Sequence, residues 1–88
     1  MLAIEGLRLD KWLWAARFFK TRALAKTAIE NGKVHYDGQR PKVSRNVTVG
    51  ALIEITQGWD IKEVAVLGLS TQRGPAPEAQ KLYEERRR

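Results

Sequence analysis

The chain has 88 residues, no cysteine, one histidine and a formal net charge of +6. That length allows one domain, which buries roughly 60% of its unfolded surface and leaves little depth for an enclosed active site. Disulfides are excluded, His35 alone cannot anchor a zinc site, and no run approaches the ~18 apolar residues of a membrane span.

The opening Met1-Leu2-Ala3-Ile4-Glu5-Gly6 lacks the charged start and apolar run of a signal peptide, so a soluble cytoplasmic protein is expected. From Arg8 to Lys20, Leu9, Trp12, Leu13, Ala16 and Phe19 recur at helical spacing and define one buried stripe. Trp14 and Phe18, one turn apart, form a second stripe beside Lys11. They either stack on the bases of a ligand or pack beneath the end of the chain, and Leu82 and Tyr83, which need a partner, favour packing. Thr21 is placed to cap a second helix over about Arg22 to Asn31, although Leu24 sits where a capping box would need Glu or Gln. The inner face of that helix reads as Leu24, Ala25, Ala28 and Ile29, and Gly32 suits the left-handed position after its end.

After Gly32 the period changes to two. Val34 and Tyr36 alternate with Lys33 and His35, and Asp37-Gly38 signals a hairpin turn. The return through Pro41 is an edge strand or a loop. Val47, Val49, Leu52, Ile53 and Ile55 carry strand character, Gln57 to Asp60 reads as a turn, and a last strand is expected over 61–69. Gly74-Pro75-Ala76-Pro77 stops the sheet. A C-terminal helix is expected over 77–88, with Ala79, Leu82 and Tyr83 as its apolar points and a basic end that suits the helix dipole. The whole reads as a single α+β domain over 1–88.

The net charge is one-sided. Residues 1–45 carry ten Lys and Arg against four Asp and Glu, whereas residues 46–88 carry six of each. A basic face held on ordered elements is the footprint of polyanion binding. Arg8, Lys11, Arg17, Lys20, Arg22 and Lys26 lie on or between the two helices, and Lys33, Arg40, Lys42 and Arg45 follow on the hairpin. Arg22 and Lys26 are one turn apart, where like charges repel by a few tenths of a kcal/mol. Such a pair is easier to understand with phosphate against it. For catalysis the inventory is poor: His35 reads as a surface strand residue, and Asp10 and Glu30 read as partners of nearby cations. Single glycines at element boundaries make no phosphate loop. Neither an enzyme nor a cofactor is expected.

The run Arg8-Leu9-Asp10-Lys11-Trp12-Leu13-Trp14-Ala15-Ala16-Arg17-Phe18-Phe19-Lys20-Thr21-Arg22, with Ala25 to Gly32, Lys33 to Gly38 and Pro41-Lys42-Val43, resembles an S4-type RNA-binding domain. The resemblance covers about residues 7–55 and implies the alpha-L motif, a helix pair laid against a small, mostly antiparallel sheet. Within that superfamily, the paired tryptophans, Gln72 to Ala79 and Leu82-Tyr83-Glu84 look like the small bacterial ribosome-associated heat-shock family of the fifteen-kilodalton class. That likeness implies RNA and general DNA binding, and association with large ribosomal subunits that still carry a nascent chain on tRNA, in rescue or recycling under stress. Carried over by position, RNA contacts are expected from Arg8, Lys11, Arg17, Lys20, Arg22, Lys26, Lys33, Arg40 and Lys42. The expected partners are ribosomal RNA, the large subunit and peptidyl-tRNA, with no membrane partner, and a monomer is expected. Longer relatives continue in a basic tail, and shorter ones of a quality-control branch end near position 88. The alternatives are a general RNA- or DNA-binding module, the detached RNA-binding domain of a pseudouridine-synthase type enzyme, and a protein-interaction module.

Overall fold

The computed structural model describes residues 7–86, so the opening segment and Arg87-Arg88 lie outside the described residues. Two helices, α1 (Leu9–Ala15) and α2 (Arg22–Glu30), pack against each other. Strands β1 (Val34–Tyr36), β2 (Leu52–Gln57) and β3 (Asp60–Val66) follow. A short helix α3 (Ala76–Ala79), a 3-10 turn (Gln80–Leu82) and strand β4 (Tyr83–Glu85) end the described chain. The strands form one antiparallel sheet in chain order.

The alternation in each strand sorts its side chains between two faces. Val34, Tyr36, Ile53, Ile55, Val64 and Val66 are buried with Leu9, Trp12, Leu13, Ala25 and Ile29 of the helices in one core. On the other face, His35 pairs across to Glu54 and Glu54 to Glu63. His35 is thus the surface strand residue expected of it, with Nδ1 3.7 Å from Glu54 Oε1. Trp12 is fully buried, and its indole Nε1 donates to Gly68 O at 2.9 Å, tying α1 to the chain beyond β3.

Both helices end in the same way. After α2, the amides of Gly32 and Lys33 donate to the carbonyls of Ile29 and Ala28 (3.1 and 2.9 Å), with Gly32 at φ 77°. After α1, the amides of Arg17 and Phe18 donate to the carbonyls of Trp14 and Leu13 (both 3.0 Å), with Arg17 at φ 68°. This is the Schellman arrangement, with arginine in the seat usually held by glycine. A side chain there costs about 1–2 kcal/mol. Phe18 offsets that cost by packing its ring 6.0 Å from Trp12 and 4.6 Å from Tyr83. The first helix therefore stops at Ala15 rather than near Lys20, and Phe18 packs inward while Trp14 is half-buried. Leu24, expected on the inner face of α2, is 51% exposed.

Of the two readings of the return through Pro41 the structure takes the loop, and it corrects two further expectations, the C-terminal helix and the end of β3. The Asp37-Gly38 turn forms, with Tyr36 and Gln39 exchanging both backbone hydrogen bonds (2.8 and 3.0 Å), but the return leaves after that rung. The long-range partner of β1 is β2, in the register Val34↔Ile55. The helix expected over 77–88 is replaced by α3, the 3-10 turn and β4. An isolated helix of that length is marginal in water, whereas β3 offers an open edge with a full row of backbone partners. Tyr83 joins that edge opposite Val66 and packs on Phe18. Strand β3 ends at Val66 rather than Leu69; the amides of Leu67 and Gly68 both donate to Leu82 O (2.8 and 3.1 Å).

Two measurements check this packing. Trp12→Ala should lower unfolding free energy by about 3–5 kcal/mol in urea titration, whereas Ile61→Ala, at a half-exposed position, should stay within about 0.5 kcal/mol. Burial against Phe18, and secondarily the Glu85 carboxylate, push the Tyr83 phenol above its ordinary value. The stabilisation this brings is complete below the unfolded phenol's pKa, about 10, and is lost as pH rises through the folded value. In a Tyr36→Phe protein, where Tyr83 is the sole tyrosine, absorbance titration should give a midpoint above that of the urea-unfolded chain.

Candidate nucleic-acid interface

Asp10 organises the basic side of the molecule. It lies in the first turn of α1, where its charge suits the helix dipole, and Oδ1 accepts the Lys11 amide at 2.9 Å. Its side chain is only 5% exposed, and a carboxylate so enclosed needs partners. Arg8 Nε reaches Oδ1 at 3.3 Å from one side, and Arg22 Nη2 reaches Oδ2 at 3.2 Å from the start of α2. The two arginine side chains remain 46% and 43% exposed. One buried acid therefore holds two solvent-facing cations side by side across the helix pair. Lys26 lies one turn beyond Arg22, and Lys11 follows Asp10 on α1. Thr21 caps α2 by accepting the Leu24 amide at 3.0 Å, and the first turn of that helix carries Arg22 and no acid. The expected ion pairing of Asp10 is thus present. The Glu30 carboxylate pairs with no cation among the described residues; its backbone carbonyl instead accepts Arg40 Nη2 at 2.8 Å.

The segment after β1 closes against the same corner. Leu9 N donates to Arg45 O (2.8 Å), Val47 N donates to Leu7 O (2.9 Å), and Arg8 pairs with Asn46. Arg45 is thereby brought beside the start of α1, whereas Arg40 reaches the end of α2 through Glu30 O. The Arg45 guanidinium lies 4.5 Å over the Tyr36 ring, whose hydroxyl accepts the Thr48 amide at 3.0 Å. Lys20, Lys26, Lys33 and Lys42 are exposed and form no ion pair among the described residues.

Arg17 stands apart from this assembly. Its Nε donates to Gly74 O at 2.8 Å, and Arg73 Nε returns a bond to Trp14 O at 3.1 Å, so the two form a clasp between the end of α1 and the later chain. The role of Arg73 was not visible in the sequence, because it depends on the Trp14 carbonyl, which at the early end of α1 accepts the Arg17 amide and takes Arg73 as a second donor. Arg45 was visible as part of the basic run, but its stacking on Tyr36 depends on the turn at Lys42 to Arg45, where Arg45 N donates to Lys42 O at 3.0 Å. Among the described residues, no helix is long and apolar enough to cross a membrane.

The S4 domain family matches residues 7–53. Over 84 residues the chain is 58% identical to the heat shock protein 15 homolog of Haemophilus influenzae, covering 96% of this chain and 64% of that protein. Heat shock protein 15 of Escherichia coli K12 is 58% identical over 83 residues, or 94% of this chain and 62% of that one. The chain thus spans about three fifths of the length of these relatives. The RQC P-site tRNA stabilizing factor of Streptococcus pneumoniae is 31% identical over 83 residues, covering 92% of this chain and 94% of that protein. The solved structure of Vibrio cholerae heat shock protein 15 superposes with a TM-score of 0.90 at 57% identity, over 93% of this chain and 82% of that one. That relative is trimeric, so the expected monomer finds no support there. Sequence, sheet order and helix pair agree, and the chain belongs to the S4 domain family.

Proposed function

We propose that this protein binds structured RNA through its phosphates and acts on the large ribosomal subunit in the cytoplasm, on subunits that hold a nascent chain on tRNA. The observation that carries this reading is the buried Asp10 with Arg8 and Arg22 fixed on either side of it. A guanidinium is a fork of donors matched to phosphate, and one held in place loses less freedom on binding than a loose lysine. Structured RNA is read by shape, backbone and 2′-hydroxyl, since its major groove is too narrow for side chains. Arg8, Lys11, Arg22 and Lys26 form the centre of the proposed surface. Lys20, Lys33, Arg40 and Lys42 extend it, and Arg17 borders it at the far end of α1. Binding rather than catalysis is the role, because the carboxylate at the centre of these cations, Asp10, is buried and occupied by Arg8 and Arg22.

The names of the relatives support the ribosomal part. Two relatives, from Bacillus subtilis and Streptococcus pneumoniae, are named for stabilising P-site tRNA, and the heat shock protein 15 group is named for stress. Rescue of stalled subunits under stress joins the two. The experiment is co-sedimentation of the purified protein with small subunits, vacant large subunits and large subunits bearing peptidyl-tRNA, with duplex DNA as competitor. Retention on the last fraction, resistant to DNA, is expected. Equal retention on all three, or loss to DNA, would leave only a general polyanion binder.

A second measurement addresses the surface itself. With about six phosphates neutralised, log affinity should fall with log salt at a slope of roughly −4 to −5. Replacing Arg22 and Lys26 together by Ala should flatten that slope by about 1–2, with the fold intact by circular dichroism. An unchanged slope would remove the pair from the interface.

A further inference from the structure

Beside the Asp10 corner lies a cleft of about 380 Å³, lined by Tyr36, Arg40, Pro41, Lys42, Ser44 and Arg45 among others. Its floor is rigid. Tyr36 is 3% exposed, and its hydroxyl is held between the amide and the hydroxyl of Thr48 at 3.0 and 3.2 Å. On this fixed ring the Arg45 guanidinium is stacked at 4.5 Å, and it donates no hydrogen bond to any described residue. Arg45 is exposed and lines the cleft, so Tyr36 supports its guanidinium without enclosing it. Lys42 is exposed and Arg40 commits one nitrogen to Glu30 O, so positive charge remains at the rim. The nearby acid, Asp37, is occupied with the Leu52 amide at 2.9 Å.

We propose that this cleft receives one unpaired nucleotide of the bound RNA, its base stacked on Arg45 and its phosphate against Lys42 and Arg40. Unpaired bases stack readily on guanidinium planes, and the cleft falls at the small end of the roughly 300–1,000 Å³ range of ligand sites. It holds a single nucleotide and excludes a helix. The inference rests on the RNA-binding reading above and adds to it a preference for RNA with an extrahelical base. Shape readers of continuous duplex have no use for such a site.

The test uses two RNA hairpins with the same stem, one carrying a single bulged 2-aminopurine. The wild-type protein should bind the bulged hairpin about tenfold more tightly, as expected for one stacked base, with a change in 2-aminopurine fluorescence. Arg45→Lys keeps the charge and loses the plane, so it should bring the bulged hairpin to within about twofold of the plain one and abolish the fluorescence change. Equal wild-type affinity for both hairpins would overturn the cleft alone, and so would a preference that survives Arg45→Lys. Displacement of the fluorescent signal by submillimolar adenosine monophosphate would assign the cleft to a free nucleotide and overturn the RNA assignment. Binding to neither hairpin would overturn the RNA-binding reading itself.

Discussion

The indole of Trp12 sits where both helices, the inner face of the sheet and the chain beyond β3 converge. It is fully buried, lies against Phe18, and its one polar atom is satisfied by Gly68 O. A small domain has few ways to hold two layers together, because most of its residues remain near solvent. A large aromatic with one directional bond supplies both area and orientation. Position and rotation of α1 follow from this seat, and with them the direction in which Asp10, two residues earlier, faces α2.

The basic surface is therefore built from the inside outward. Packing fixes α1, the buried carboxylate of Asp10 fixes Arg8 and Arg22, and these present their remaining donors to solvent. Enclosing a carboxylate is costly, and here it adds a negative charge to the half of the chain that carries the net positive charge. What is gained is geometry: two forks at a set spacing rather than two flexible cations. On the other flank the same logic recurs with a neutral anchor, since Tyr36 is held by Thr48 and in turn carries Arg45.

Much of this was legible from residue order. Thr21 caps where expected, Gly32 turns where expected, Asp37-Gly38 makes its turn, and the alternation after Gly32 marks the buried faces of the strands. These features depend on near neighbours, and near neighbours are what a sequence displays. What it did not display were the outcomes decided by distant partners. Arg17 takes a left-handed conformation that no local rule assigns to arginine, because Phe18 finds Trp12 and Tyr83. Residues 83–85 leave a helical pattern for the edge of β3, and β1 prefers β2 to its own hairpin mate. The basic run was visible, but its division was not: Asp10 gathers two of its members, Tyr36 another, and Gly74 draws Arg17 away.

The seat of Trp12 has a consequence for where this domain ends. The stretch shared with other S4 domains, residues 7–53, ends two residues into β2. Strand β3, the carbonyl that receives the indole N–H, and the ring that covers Phe18 all lie beyond it. The matched stretch is thus an unfinished solid: it carries the basic surface but lacks part of its own interior. In this chain that interior is completed by later residues. Here the completing piece is a β-hairpin followed by a short returning strand, clasped to the end of α1 through Arg73 and Arg17. A change in this completing piece would alter the contour beside α1 while leaving the Arg8–Asp10–Arg22 cluster, which is held within the first two helices, in place.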